Sequence, residues 1–153
     1  MNNQNFVPFL QKNWEDAGFE KPALIQSSVF TPITEGKNLV GIAPTGSGKT
    51  LAYLLPLINR LEAGISSQVL VLTSSQELAM QVVEVARSWI SGSGMKVQPL
   101  IGGANVKRQQ EALKKKPELL VGTPGRVLEL IMAKKIKAPN IKTLVFDEVD
   151  QLV

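Results

Sequence analysis

Short, almost uniformly apolar runs alternate along the chain with longer segments in which apolar residues recur every three or four positions. The short runs are typical of strands covered on both faces, and the longer segments have the period of amphipathic helices. The predicted strands are residues 38–43, 68–73, 96–101, 118–122 and 142–147, and the predicted helices are residues 49–62, 75–91, 104–115 and 125–134. This regular succession predicts right-handed βαβ units, and therefore an α/β fold with helices on both faces of a parallel sheet.

The first 35 residues predict helices instead. Pro8 suits the first turn of a helix and Gly18 suits its end, while Pro22 could open a second helix. We therefore expect one domain over residues 1–153 that contains a helical region at residues 1–35.

Composition excludes several kinds of chemistry. A chain of 153 residues with 44% apolar content is large enough for one domain with a real core. Because the chain has no cysteine and no histidine, disulfides, thiolate nucleophiles, imidazole bases and the usual zinc sites are excluded. Carboxylates, lysine, hydroxyls and backbone groups remain. The chain has neither a signal-peptide pattern nor an apolar run long enough for a bilayer, so we expect a cytoplasmic protein without a membrane partner.

Basic residues are concentrated in one third of the chain. Residues 107–142 contain ten Lys or Arg against three Glu, whereas residues 1–106 carry seven charges of each sign. The lysine runs at 114–116 and 134–137 have two explanations. They can be solvated helix ends, where cations suit the negative end of the helix dipole, or they can form a face that binds a polyanion.

The segment "APTGSGKT" at 43–50 follows the first predicted strand, where an open parallel sheet binds its ligands. Gly46 and Gly48 can adopt backbone angles that other residues avoid, so successive N–H groups can curl around an anion at a helix N-terminus. Lys49 would contact the β and γ phosphates, and the Thr50 hydroxyl would bind Mg²⁺. Ala43 departs from the strict phosphate-loop pattern, which has glycine there. A simple glycine-rich turn is the alternative.

The segment "LVFDEVDQLV" at 144–153 places three carboxylates directly after the last predicted strand. Asp147 can hold Mg²⁺, and Glu148 can orient and deprotonate a water molecule. Taken alone, this segment could equally be a solvated acidic turn. Because the carboxyl ends of parallel strands share one edge, we expect Lys49 and the acidic cluster to converge around one magnesium-bound triphosphate.

Five stretches occur in the order and spacing of the first RecA-like domain of the DEAD-box ATP-dependent RNA helicases, which the chain resembles over nearly its whole length. They are "GFEKPALIQ" at 18–26 with Phe9 seventeen residues before Gln26, "APTGSGKT" at 43–50, the glycine pair at 102–103, "TPGR" at 123–126 and "DEVD" at 147–150. Each stretch is common by itself, but the set is specific.

The resemblance implies ATP and Mg²⁺ as ligands. A glutamine carboxamide can pair with N6 and N7 of adenine, and an aromatic ring can pack on the base. A helix-packing role is the alternative for that glutamine. The implied nucleotide-binding residues are Phe19, Gln26, Thr45, Gly46, Ser47, Gly48, Lys49 and Thr50. The implied catalytic residues are Lys49, Asp147 and Glu148, with the metal held by Thr50 and Asp147.

The resemblance also implies RNA as a partner, contacted through its backbone without regard to sequence. Glycines allow a phosphate to approach the main chain closely, and an arginine can bind the same ligand. Either loop alone is also common as a simple turn or cap. The implied RNA-binding residues are Gly102, Gly103, Thr123, Pro124, Gly125 and Arg126. The parent protein would then be an RNA-dependent ATPase that opens short duplexes.

The chain departs from the family pattern in three places. Residues 74–79 read Ser-Ser-Gln-Glu-Leu-Ala where the family usually has Pro-Thr-Arg-Glu-Leu-Ala, so Gln76 replaces an arginine and one RNA or interdomain contact is in doubt. Val149 replaces an alanine, which adds two methyl groups to a tight site. The Ser-Ala-Thr motif and the second RecA-like domain are not in this sequence. We therefore expect a fragment that is weakly active or inactive, poorly stable alone and prone to self-association.

Two other functions stay open from the sequence. One is a related helicase that acts on DNA, against which "GFEKPALIQ" and "TPGR" argue. The other is an RNA clamp that binds ATP without hydrolysing it, which the changes at residues 74–76 and at Val149 suggest.

Overall fold

The computed structural model describes residues 5–61, 67–103 and 105–151, and these residues form two compact units. The first unit contains the described residues of 5–61 together with 88–93. The second unit contains the described residues of 67–87 and 94–151. Each unit has its own buried residues and carries a different part of the predicted site.

The first unit is helical, as the N-terminal pattern predicts. Its helices are α1 (Pro8–Asp16), α2 (Leu24–Thr34) and α3 (Lys49–Arg60). Pro8 occupies the first turn of α1, and Gly18 follows its end with a left-handed φ of 75° that glycine adopts at little cost. Pro22 precedes α2 rather than opening it, because Ala23 is the N-cap residue.

Aromatic rings form much of the core of this first unit. The Phe6 ring packs against the rings of Trp14 and Phe30, with centroids 5.8 and 5.7 Å away. The ring of Trp14 lies 6.1 Å from that of Trp89. The Asn13 side-chain amide donates hydrogen bonds to the carbonyls of Trp89 and Ser91, which ties the 88–93 segment to α1.

The prediction of a strand at residues 38–43 is wrong for this structure. These residues are not in a strand, and Val40 and Ile42 are 82% and 92% exposed. An apolar run becomes a strand only when a neighbouring strand satisfies its backbone N–H and C=O groups. Among the described residues, no strand pairs with this segment.

The second unit contains a four-stranded parallel sheet with the order β2-β3-β1-β4, as the alternating pattern predicts for this class of fold. Its strands are β1 (Gln68–Leu72), β2 (Val97–Leu100), β3 (Leu119–Gly122) and β4 (Ile141–Phe146). Its helices are α4 (Gln76–Trp89), whose last two residues belong to the first unit, α5 (Val106–Leu113) and α6 (Pro124–Met132). Short 3₁₀ turns follow at Ala138–Asn140 and Val149–Gln151.

The sheet is buried where its middle strands lie. Leu70 and Leu120, on one face, pack in a cluster with Leu113 of α5 and Leu130 of α6. Side chains alternate along a strand, so the neighbouring residues of β1 and β3 point to the other face, and Val71 there is fully buried as well. Burial on both faces explains why these strands read as continuous apolar runs.

Strand β4 lies at the edge of the described sheet and is much less covered. Its register pairs Leu144 with Leu70 and Phe146 with Leu72. Yet Leu144 and Phe146 are 49% and 52% exposed, whereas Leu70 is buried. Strand β4 therefore has apolar side chains that the described residues leave partly exposed.

Replacement of Gly122 by alanine should destabilise the protein. A Cβ at Gly122 would lie 2.4 Å from the Leu100 carbonyl oxygen and 2.8 Å from Cγ2 of Val127. Because both are held in the core, we expect a loss of about 1–3 kcal/mol in the free energy of unfolding, measured with urea. Gly125→Ala is the control, since a Cβ at Gly125 meets nothing within 4 Å. Equal stability of the two variants would contradict this packing.

Candidate functional site

The predicted phosphate loop lies in the first unit and leads directly into α3. Gly46 and Gly48 have left-handed φ values of 81° and 88°, and Gly48 is the N-cap of the twelve-residue helix. Thr45 and Gly46 are exposed, while Ser47, Lys49 and Thr50 are partly exposed. The first N–H groups of α3, which have no partner within the helix, and the positive end of its dipole therefore face a loop in which two positions favour glycine.

Gln26 joins this loop to the start of α2. Its Oε1 accepts a hydrogen bond from the Ala23 N–H at 2.9 Å, and its Nε2 donates to the Gly48 carbonyl at 3.3 Å. A Cβ on Gly48 would lie 2.6 Å from that nitrogen. A carboxamide has two donors and two acceptor positions, so one of each is left by these two bonds. Gln26 thus caps its own helix and contacts the loop, and only 6% of its surface is exposed.

Phe19 presents an aromatic surface in the same unit. Its ring stacks on Trp89 with an interplanar angle of 21° and a centroid distance of 5.8 Å, and meets Trp14 edge-on at 5.1 Å. The residue is 44% exposed. Two tryptophans therefore hold the ring in place while part of its surface stays open to a flat ligand.

In the second unit, the sheet brings the other predicted stretches to one edge. Thr123 donates its N–H to the Leu100 carbonyl at 3.2 Å, and Asp147 donates its N–H to the Leu72 carbonyl at 3.0 Å. The segments that begin at Ile101, Thr123 and Asp147 therefore all start at the carboxyl ends of strands of one parallel sheet. This is the edge at which open α/β sheets bind their ligands.

The acidic segment turns sharply after β4. Asp147 is only 9% exposed, Glu148 has a left-handed φ of 51°, and the 3₁₀ turn at Val149–Gln151 follows. A non-glycine residue with positive φ is uncommon and is often found where a side chain must point in a particular direction. Val149 is 47% exposed, so its extra methyl groups meet no tight packing among the described residues.

The side chain of Arg126 holds the glycine loop in place. Its Nη1 donates to Oε1 of Gln109 at 2.9 Å, and its Nη2 donates to the Gly102 carbonyl at 3.3 Å. Its Nε lies 3.0 Å from Oε2 of Glu129, and the side chain is 12% exposed. Sequence reasoning assigned this guanidinium to an RNA phosphate. The structure gives it three partners within the protein, so it also positions the loop that offers its backbone.

Gln109 is a site residue that sequence reasoning missed. It is 3% exposed, and its Nε2 donates to the Ile101 carbonyl at 2.9 Å while its Oε1 accepts from Arg126. The bond to Arg126 crosses seventeen positions of sequence, so no local pattern marks it. A polar residue at an inward position of an amphipathic helix was the available signal.

Gln76, the departure from the family's arginine, lies against the same glycines. A Cβ on Gly103 would be 2.7 Å from Oε1 of Gln76, and one on Gly102 would be 3.4 Å from its Nε2. The substitution therefore places a neutral carboxamide beside the loop in place of a fixed positive charge.

Lys49 belongs to the first unit and Asp147 to the second, so their convergence stays a prediction. No cluster of three His, Cys, Asp or Glu residues that could hold a metal is found among the described residues. In the described part of the chain, no helix is long and apolar enough to cross a membrane.

Comparison with known proteins gives a consistent result. The model of the family described as DEAD/DEAH box helicase matches residues 23–153. The "Probable ATP-dependent RNA helicase YfmL" of Bacillus subtilis is 49% identical over 150 residues, which cover 97% of this chain and 40% of that protein. The "DEAD-box ATP-dependent RNA helicase CshC" of Bacillus cereus is 48% identical, over 98% of this chain and 39% of that protein. The chain thus spans about 40% of the length of these relatives.

Solved structures show the same fold. A DEAD box protein from the hyperthermophile Methanococcus jannaschii superposes with a TM-score of 0.91 at 33% identity, over 97% of this chain and 41% of that one. A hypothetical ATP-dependent RNA helicase from Sulfolobus tokodaii superposes with a TM-score of 0.85 at 30% identity, over 94% of this chain and 42% of that one.

Replacement of Arg126 by lysine should destabilise the protein. An ammonium group cannot reproduce the planar arrangement that serves Gln109, Gly102 and Glu129, so the buried Gln109 oxygen loses its donor. We expect a loss of about 1–3 kcal/mol in the free energy of unfolding. Arg87→Lys, at an exposed ion pair with Glu84, is the matched control and should change stability by less than about 0.5 kcal/mol. Similar small changes in both variants would argue against a positioning role for Arg126.

Proposed function

Because the chain belongs to the DEAD/DEAH box helicase family, we propose that it is the N-terminal, ATP-binding RecA-like domain of an ATP-dependent RNA helicase. The observation that carries the proposal is the contact between Gln26 and Gly48. It supports the proposal because a side chain that can pair with a base and a loop that can bind phosphates lie side by side, and one nucleotide would use both. Relatives named as ATP-dependent RNA helicases, at 48% and 49% identity, support the same function.

Each part of the nucleotide has a residue of suitable chemistry. Gln26 would pair with the adenine edge through its remaining donor and acceptor, and Phe19 would pack on the base. The backbone of residues 45–48 would receive the phosphates, and Lys49 would neutralise part of their charge. All of these residues belong to the first unit.

The oxygen ligands present are suited to Mg²⁺. Magnesium in nucleotide hydrolases takes one or two protein oxygens, the phosphates and water, so Thr50 and Asp147 would suffice without a larger carboxylate cluster. Bound Mg²⁺ would withdraw charge from the phosphates. Glu148, beside Asp147, would orient a water molecule and accept its proton.

The edge of the sheet in the second unit would bind RNA. Gly102 and Gly103 would offer main-chain N–H groups to phosphates, as would Gly125 in the first turn of α6, and Thr123 would offer its hydroxyl. Arg126 and Gln109 would keep these loops in shape. Because such contacts read no base, the activity would not depend on RNA sequence.

The whole protein would couple the two ligands. The relatives are about two and a half times as long as this chain, and the additional length is proposed to include a second RecA-like domain that closes over ATP and RNA. An arginine supplied from such a partner can contribute about 10³ to 10⁵ in rate, so the chain alone should hydrolyse ATP weakly.

ATP hydrolysis by the complete protein tests the proposed function. We expect phosphate release to be stimulated by single-stranded RNA and much less by single-stranded DNA of the same length. Stimulation by DNA alone would place the protein among helicases that act on DNA. Binding of ATP and RNA without phosphate release would make it a clamp.

Glu148→Gln tests the assignment of the general base. The change keeps the size of the side chain but removes its ability to accept a proton, so RNA-stimulated turnover should fall by about 10²- to 10⁴-fold while ATP binding persists. Glu35→Gln, at an exposed ion pair with Lys37, is the control and should leave turnover unchanged. Unchanged turnover in Glu148→Gln would refute this role.

Gln26→Ala tests the reading of adenine. Loss of a two-point hydrogen bond to the base should reduce the preference for ATP over GTP by about 1–3 kcal/mol, measured as the ratio of the two dissociation constants. Gln81→Ala, on an exposed position of α4, should leave that ratio unchanged. If the Gln26 variant kept its full preference, the glutamine would be only a helix cap.

A further inference from the structure

The two lysine runs, which are far apart in sequence, border the same hydrophobic cluster. Leu113 at the end of α5 and Ile136 in the turn after α6 are both buried in it. Lys114–Lys116 follow the first of these residues, and Lys134, Lys135 and Lys137 surround the second. All six lysines are exposed, so the fold brings separate basic segments to neighbouring positions on the surface of one unit.

The pKa of Glu111 also indicates that the two lysine runs lie close together. The pKa of Glu111 lies below its usual value, chiefly because Lys114 forms a hydrogen bond and ion pair with it and also because Lys135 lies nearby. Burial acts in the opposite direction. One carboxylate on α5 is therefore influenced by lysines from both runs.

An open groove on α5 extends this basic surface toward the glycine loop. Its lining includes Lys107, Arg108, Glu111 and Lys115. Asn105 caps the helix through bonds to the N–H groups of Lys107 and Arg108, so the groove offers side-chain charge more than free backbone donors. Eight helical residues span about 12 Å, which is about three to four phosphates along one strand of a duplex.

Two of the lysines occupy backbone conformations that favour glycine. Lys116 and Lys134 have φ values of 53° and 59° in the turns that follow α5 and α6. Helices commonly end with glycine in this conformation, because a side chain there is strained. The chain accepts this strain at both positions and places a positive charge at each.

Most of this charge is not neutralised by the protein. Lys114 pairs with Glu111 at 2.9 Å. Among the residues that the structure describes, Lys107, Arg108, Lys115, Lys116, Lys134 and Lys135 form no direct ion pair. Stabilisation of helix ends does not account for all of this charge, because Lys107 and Arg108 lie in the first turn of α5, where the positive end of the helix dipole disfavours cations. A polyanion would use them.

We propose that these six residues, which we call the lysine surface, bind the phosphate backbone of RNA beyond the part held by the glycine and "TPGR" loops. The inference rests on the proposed function, because it extends the RNA-binding edge of the same domain along α5. The lysine surface would strengthen binding of longer RNA and would not read its sequence.

The test uses the complete protein that carries this chain, with Lys116 and Lys134 both replaced by glycine. Glycine relieves the left-handed strain, so the melting temperature should stay unchanged or rise. Affinity for a long single-stranded RNA should fall by about 5- to 25-fold at roughly 0.1 M salt, and the salt dependence should flatten by about 0.7 for each lost contact. Affinity for a short RNA that fills only the loops should not change.

Three comparisons make the result decisive. The double variant Lys12→Gln with Lys37→Gln removes two positive charges from the first unit and should bind long RNA with unchanged affinity. An equal loss of affinity in this control would show that only net charge matters and would overturn the proposal. Lys116→Arg with Lys134→Arg should keep the affinity. The double variant Lys115→Gln with Lys135→Gln repeats the test at positions without backbone strain and should also lose affinity for long RNA. Unchanged affinity in both this variant and the glycine variant would overturn the proposal.

The outcomes also separate this inference from the function on which it rests. If the unsubstituted protein bound no RNA, the proposed function itself would fail. Suppose instead that the unsubstituted protein binds RNA, and that substitution of the lysine surface weakens binding of polyglutamate but not of RNA. The lysine surface would then bind an acidic polypeptide, and its assignment to RNA would be wrong.

Discussion

Parallel pairing of β1 with β3 and β4 is the constraint on which the second unit depends. The register places Leu72 beside Gly122 on one side and beside Phe146 on the other. Three strands consequently end together, and the segments that follow them must leave the sheet at one edge. Segments that begin at residues 73, 123 and 147 are brought to that edge by hydrogen bonds of the backbone and not by the side chains proposed to act there.

Neutral carboxamides fix the flexible loops on which this chemistry is built. Gln26 bonds to the Gly48 carbonyl, Gln109 bonds to the Ile101 carbonyl, and Gln76 lies against Gly103. Glycine gives these loops backbone angles that suit an anion, but it also leaves the unbound loop with many conformations. Neighbouring groups must restrict those conformations. A carboxamide does this without burying a charge. Arg126, which also bonds to the Gly102 carbonyl, is the exception, since its side chain is charged and only 12% exposed.

Local patterns predicted the four paired strands and the helices that accompany them because burial on both faces leaves a continuous apolar run. The same reasoning failed at residues 38–43, because an apolar run does not show whether a neighbouring strand is present to pair with it. Contacts between distant positions were also invisible. Gln109 looked like any residue of an amphipathic helix, and only the fold shows that it holds Arg126. The sequence likewise showed two lysine runs but not that they border one cluster.

The aromatic cluster of the first unit gives the protein an optical label. The chain has two tryptophans, and the rings of both contact Phe19, the residue proposed to pack on adenine. Most intrinsic emission therefore originates beside the ring that is proposed to pack on adenine and not in the sheet. A change in emission on adding ATP would follow events at that ring, without any dye or substitution.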